Sequence, residues 1–171
     1  MIQLRERDLS ACALLELADR VAPLARSSQA AMLINDRADV AACAGTGVHL
    51  TTRSLTPDVV RRAFGQAMLI GASAHNLSEA EAAEGAGANF IVFGPVFETA
   101  SKKIYGPPVG LHALEAVTRR VQIPVLALGG IDLQNFRAAL DAGAAGIAAI
   151  SMFAEADDLR TVVNEIKTYG R

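Results

Sequence analysis

The sequence predicts an α/β protein of the TIM-type (β/α) barrel class. Three observations point there. Short β-branched apolar runs recur along the chain, longer Ala-rich amphipathic segments separate them, and the two kinds alternate throughout. Continuous apolar character suits strands buried on both faces of a parallel sheet. The other solution, an open doubly wound sheet of the dinucleotide-binding kind, lacks its G-x-G-x-x-G after the first strand.

The strand-like runs are Ile2–Leu4, Ala31–Ile34, Gly47–Leu50, Met68–Ile70, Phe90–Phe93, Pro124–Leu128 and Gly146–Ile150. Between them lie helix signals. Thr56-Pro57 supplies an N-cap and a first-position proline, and Gly65 can end that helix. Asn76 and Glu79 have capping-box spacing. Asp132 can cap a helix whose face is Leu133, Phe136 and Leu140, closed near Gly143. A last helix runs from Asp157 to about Thr168, with Leu159, Val162, Val163 and Ile166 on one face. Seven strands are visible where a barrel needs eight, and the chain opens directly on a strand. The expectation is a barrel apparently lacking its first βα unit, with an open seam whose strand edges invite pairing between chains as a homo-oligomer.

Bulk properties bound the functions. The 171 residues fit one domain, 1–171. With 51% apolar and 20% charged residues, the chain can build a core and is not disordered. Net charge is −2 with no long run of like charge, so no nucleic-acid partner is expected. No apolar run reaches about 18 residues, and the charged start is unlike a signal peptide, so no membrane partner is expected and the location is cytoplasmic. Cys12 and Cys43 read as small buried apolar residues rather than a disulfide or metal pair.

In such barrels chemistry sits at the carboxyl ends of the strands. Gln3, Arg5 and Arg7 alternate after the first strand and can share one face. Asn35, Asp36 and Arg37 follow the second strand, and Thr51, Thr52, Arg53 and Ser54 the third. Ser73 and His75 follow the fourth. Thr99, Ser101, Lys102 and Lys103 lie in a long loop after the fifth, where such loops tend to be functional. Gly129-Gly130 after the penultimate strand and Ser151 after the last have the place of a phosphate site. His75 is the candidate acid/base, since an imidazole titrates near neutrality. His49 lies inside an apolar strand and reads as structural or barrel-lining. His112 begins a helix and reads as exposed. Asp36 is a metal-ligand candidate that lacks a partner carboxylate, Asp39 reads as a surface charge, and no zinc-spaced cluster exists.

Taken together, these motifs resemble the thiamin-phosphate synthase/TenI superfamily over essentially the whole chain. Gln3-Leu4-Arg5-Glu6-Arg7 resembles the family's Gln-x-Arg-Glu-Lys segment. Ile34-Asn35-Asp36 resembles its Ile-Asn-Asp motif, and Gly71-Ala72-Ser73-Ala74-His75 its G-x-S-x-H segment. Phe93-Gly94-Pro95-Val96-Phe97-Glu98-Thr99 leading to Lys102 resembles its Gly-Pro stretch. Leu128-Gly129-Gly130-Ile131 and Ile150-Ser151 resemble its phosphate-binding strand ends. The resemblance implies work on a small phosphorylated thiazole in thiamin biosynthesis.

Two positions depart from the synthase pattern. Arg7 stands where the synthase has lysine, which keeps the charge and changes the geometry. Thr51-Thr52-Arg53-Ser54 stands where the synthase carries its second magnesium aspartate. Arg53-Ser54 and Val96-Phe97-Glu98-Thr99-Ala100-Ser101-Lys102-Lys103 instead resemble TenI sequences. The first expectation is therefore a TenI-like thiazole tautomerase needing no cofactor. His75 would move the proton, Gly129, Gly130 and Ser151 would hold the phosphate, and Arg5, Asn35 and Lys102 would shape the pocket. The alternative is a thiamin-phosphate synthase with Mg2+ on Asp36 and with Arg5, Arg7, Asn35, Ser73, Thr99 and Lys102 on the pyrimidine diphosphate. A third reading is a non-catalytic phosphate-ligand-binding or regulatory protein.

Overall fold

Residues 1–99 and 107–169 are described by a computed structural model of the chain. It divides into two compact units, one of residues 1–73 and 85–89, the other of residues 74–84 and 90–171. Each unit has its own apolar core.

The first unit contains β1 (Ile2–Leu4), α1 (Ala11–Ser27), β2 (Met32–Asn35), α2 (Ala38–Ala44), β3 (Gly47–Leu50) and α3 (Pro57–Phe64). It also contains β4 (Ile70–Ala74) up to Ser73. Pairing is parallel throughout: Gln3 lies opposite Leu33, Asn35 opposite His49, and Leu50 opposite Ala72. Ser10 caps α1, its hydroxyl accepting from the Ala13 N–H at 3.2 Å. Leu14, Ala18, Ala22 and Ala25 then recur along one buried stripe. That stripe packs in one cluster with Ile34, Val48, Leu50 and Ile70. Strand residues of one parity thus face the helices, and Gln3, Asn35, His49 and Ser73 of the other parity face away from them.

Arg61 ties the far ends of this unit together. Its guanidinium donates to the carbonyls of Gly87 at 2.8 Å and Gln66 at 2.7 Å, and to Asn89 Oδ1 at 2.9 Å. The same Asn89 oxygen accepts from the Ile70 N–H at 2.7 Å, so the entry to β4 is clamped.

The second unit contains α4 (Leu77–Gly85) up to Glu84, then β5 (Phe90–Phe93), α5 (Gly110–Arg120), β6 (Val125–Leu128), α6 (Phe136–Asp141), β7 (Gly146–Ala148), α7 (Ser151–Ala154) and α8 (Leu159–Tyr169). β5 pairs parallel with β6, and β6 with β7. Asn76 caps α4 as its spacing to Glu79 predicts, while the Glu79 carboxylate takes the N–H one residue before the cap. Asn76 Oδ1 accepts from the Glu79 N–H at 2.9 Å, and Glu79 reaches back to the His75 N–H at 2.7 Å.

Seven parallel-type strands are therefore present among the described residues, each followed by a helix, as the TIM-type reading requires. Several element ends differ from expectation. β4 starts at Ile70 and runs on through Gly71-Ala72-Ser73, residues of low strand propensity that sequence alone leaves as a loop. β7 stops at Ala148. The last helix begins at Leu159 rather than Asp157, and the Asp158 carboxylate before it accepts from the Arg160 N–H at 3.0 Å and from the Thr161 hydroxyl at 2.6 Å. Asp132 does accept from the Gln134 and Asn135 N–H groups, but regular helix begins only at Phe136. Cys12 and Cys43 are both exposed, a correction to the buried reading. Each lies off the stripe that its helix buries, Leu14–Ala18–Ala22–Ala25 in α1 and Ala38–Val40–Ala41 in α2. No helix is long and apolar enough to cross a membrane among the described residues.

Candidate functional site

In the first unit the candidates gather on the sheet face opposite the helices. Among the described residues His49 is the only charged or polar side chain in the buried set, at 8% exposure. Gln3 Nε2 meets its Nδ1. Ser73 Oγ meets its Nε2 at 3.2 Å. Three strands thus contribute one hydrogen-bonded chain, Gln3–His49–Ser73. The expectation that His49 lines the sheet interior holds. What sequence reading missed is its pairing with two expected site residues, because the common face of Gln3, His49 and Ser73 follows from strand register and from the extension of β4 through Ser73.

At the β2 end, Asn35 is half-buried, while Asp36 is exposed in a left-handed conformation, φ 64°. Asp39 is the surface charge expected. Arg37 donates to both of its oxygens, at 2.9 and 2.6 Å. That hydrogen bond holds the Asp39 carboxyl below the usual carboxylate range. Arg5 and Arg7 are exposed beyond β1.

The segment that matches the synthase's second metal aspartate is a closed turn. Ser54 Oγ accepts from the Thr51 N–H at 2.7 Å and lies 3.0 Å from Thr51 Oγ1. No carboxylate stands there. Among the described residues no group of three or more His, Cys, Asp or Glu side chains forms a metal cluster.

In the second unit His75 is exposed, and its Nδ1 meets the carbonyl oxygen of Gly94. A carbonyl only accepts, so Nδ1 carries a proton, and in a neutral ring the lone pair lies on Nε2. Gly129 and Gly130 have φ 98° and 65°, in the left-handed region that favours glycine. A Cβ on Gly129 would sit 2.5 Å from Pro95 Cβ, and one on Gly130 would meet the Glu98 carbonyl and Phe97. The pair therefore lets the 95–98 segment lie directly on the end of β6. Val96 and Phe97 donate to the Leu128 and Gly129 carbonyls at 2.8 and 3.0 Å.

Ser151 opens the short α7 and lines a groove of about 480 Å³ with Asp132, Gln134, Glu155 and Asp157. Thr99 is half-buried. Lys102, with Ser101 and Lys103, lies outside the described residues. His112 is exposed on α5, as expected.

Residues 1–153 match the family described as thiamine monophosphate synthase. The chain belongs to this family. It is 50% identical over 151 residues to a putative thiamine-phosphate synthase of Geobacter sulfurreducens, covering 88% of this chain and 71% of that one. It is 39% identical over 158 residues to the thiamine-phosphate synthase of Roseiflexus castenholzii, covering 92% and 69%. Among solved structures it resembles thiamine phosphate pyrophosphorylase from Pyrococcus furiosus, with a TM-score of 0.88 and 32% identity over 98% of this chain and 81% of that one. A structure described as native KDPGal, 18% identical with a TM-score of 0.60, shares the fold alone. The thiamine monophosphate synthase family thus carries the TIM-type α/β fold that the sequence predicts. These relatives back the synthase alternative rather than the tautomerase placed first on sequence grounds. The Arg53-Ser54 pair and the 96–103 stretch, which resemble TenI sequences, do not outweigh identity spread over nine-tenths of the chain.

Proposed function

We propose that the protein is a thiamine-phosphate synthase, joining hydroxymethylpyrimidine diphosphate to thiazole phosphate with release of pyrophosphate. The observation that carries this reading is the 50% identity over 151 residues to a protein named for that activity. The 0.88 TM-score to a pyrophosphorylase of the same pathway step supports it.

Under this reading Arg5, Arg7 and Lys102 hold the diphosphate oxygens, with Asn35, Ser73 and Thr99 orienting the pyrimidine diphosphate. Gly129, Gly130 and Ser151 take the thiazole phosphate. The thiazole nitrogen attacks with its own lone pair. The new C–N bond forms as the C–O bond to the diphosphate breaks, and no proton leaves the nitrogen.

Magnesium is usually held by one or two carboxylates plus substrate phosphates. Asp36, exposed at the end of β2, supplies one carboxylate, which meets the lower limit of that set. When bound, the ion would neutralise charge on the leaving diphosphate. Asp36 would be its protein ligand.

The test is thiamin-phosphate formation by purified protein given both substrates and Mg2+. Product that disappears with EDTA is the expected result. Folded protein that makes none, yet isomerises a carboxythiazole phosphate, would return the tautomerase reading.

A further inference from the structure

His49 sits between two side chains that the family resemblance assigns to substrate, and its hydrogen bonds have a direction. The Gln3 amide nitrogen faces Nδ1. An amide nitrogen donates and does not accept, so Nδ1 is the unprotonated, accepting nitrogen. The neutral ring then carries its proton on Nε2. That N–H points at Ser73 Oγ, 3.2 Å away. A hydroxyl that accepts from the imidazole keeps its own hydrogen for another partner. Gln3, with its NH2 committed inward, keeps its carbonyl oxygen.

We propose that His49 is a positioning residue: through its Nε2–H tautomer it turns Ser73 into a hydrogen-bond donor toward the pyrimidine diphosphate. The inference rests on the synthase reading for the identity of that substrate, and on the first unit alone for its geometry. His49 is at 8% exposure, where a fixed neutral imidazole is cheaper to hold than a charged one. Its backbone is fixed too. β3 pairs with both neighbours, Asn35 opposite His49 and His49 opposite Gly71, and the His49 carbonyl accepts from the Asp36 N–H at 2.9 Å. The ring therefore has a rigid seat from which to orient a hydroxyl on the next strand. With the opposite polarity, Ser73 would spend its hydrogen on the imidazole and offer substrate only lone pairs, which an anionic diphosphate oxygen rejects.

Two measurements test this. The first uses 15N NMR of the histidine ring nitrogens in the full chain at pH 8, with His49→Gln to assign the signal. The expected pattern is a neutral ring protonated at Nε2. A ring protonated at Nδ1 would overturn the proposal, whatever reaction the protein performs. The second is kinetic. His49→Leu should raise KM for the pyrimidine diphosphate by about tenfold, the scale of one lost hydrogen bond, and leave KM for thiazole phosphate within about twofold. His49→Gln, whose amide NH2 can still reach Ser73, should recover most of that loss. In a Ser73→Ala background, His49→Leu should add less than about twofold, because its route is already gone. Equal effects on both KM values, no recovery by glutamine, or full additivity with Ser73→Ala would each show a merely structural role. A wild type that makes no thiamin phosphate at all would fail the synthase reading and leave the NMR result to decide the tautomer.

Discussion

The Nδ1–H of His75 donates to the carbonyl oxygen of Gly94, so this ring has the opposite tautomer to His49. Its Nε2 lone pair is the end that remains to act. In a tautomerase that nitrogen would carry the reaction, and losing it would cost the 10²–10⁴-fold typical of an acid/base group. In a synthase no proton leaves the attacking thiazole nitrogen. His75→Ala should therefore lower kcat for thiamin-phosphate formation by less than about tenfold. Steady-state kinetics of the variant check this, and a loss above 10²-fold would bring proton transfer back into the mechanism.

Gly130 is where the β5–α5 connection lies on the end of β6. A methyl group there meets the Glu98 carbonyl, a backbone atom that cannot rotate aside, at a φ of 65°. Left-handed strain and the clash together should destabilise Gly130→Ala by roughly 2–4 kcal/mol. Gly45→Ala is the comparator: φ is 61° but nothing lies within 4 Å of the added Cβ, so only the conformational cost, about 1 kcal/mol, is expected. Urea unfolding midpoints of the two variants measure the difference. Equal losses would show that the close approach contributes nothing.

How far this site was legible in the sequence depends on what kind of signal each residue carried. The two-residue period within a strand makes Gln3 and His49 legible as face positions of their own strands, while Ser73 falls beyond the run that reads as the fourth strand. Their joining into one chain was not legible, since β1 and β3 are separated by β2 and hydrogen-bond reach depends on sheet twist and register. β4 was read too short because Gly71, Ala72 and Ser73 owe their strand state to neighbours on either side and not to propensity. Gly129-Gly130 was read as a place for phosphate; the structure adds a packing demand from residues 95–98, a contact across more than thirty residues that no local pattern announces. The branch of the family is illegible for a related reason: Arg53-Ser54 and the 96–103 stretch are local and resemble TenI, while the agreement with synthases is spread over the whole chain.

The closed turn at Thr51–Ser54 suggests how to restore a second carboxylate. Ser54 Oγ accepts from the Thr51 N–H at 2.7 Å. A carboxylate oxygen at position 54 can accept from the same Thr51 N–H, so Ser54→Asp should fold normally. Its added charge stands at the position the synthase pattern reserves for the metal. We expect the Mg2+ concentration for half-maximal activity to fall severalfold in Ser54→Asp, and Asp36→Ala to need far more Mg2+ than wild type. Titrating activity against free Mg2+ reads both. An unchanged Mg2+ curve in Ser54→Asp would mean that this turn does not contribute to the metal's surroundings.

The end of α8 gives a prediction with a defined pH sign. Tyr169 donates its hydroxyl to both oxygens of Asp141, at 2.9 and 3.1 Å, and its ring meets Phe136 edge-on at 5.9 Å. The hydrogen bond to the Asp141 carboxylate raises the tyrosine pKa above 10.0, because ionising the phenol would both break that bond and place two negative charges together. A proton held more tightly in the folded state means stability that is fully present below the unfolded value near 10. That stability is lost as pH rises through the folded pKa. Wild type should therefore lose this contribution as pH rises beyond the unfolded tyrosine value of about 10. Tyr169→Phe keeps the ring contact with Phe136 and removes the titrating hydroxyl, so it should be less stable than wild type at pH 8 and show a flatter alkaline profile. Denaturant unfolding at pH 8, 9.5 and 10.5 checks both parts; parallel profiles for the two proteins would show that the Asp141 contact does not hold in solution.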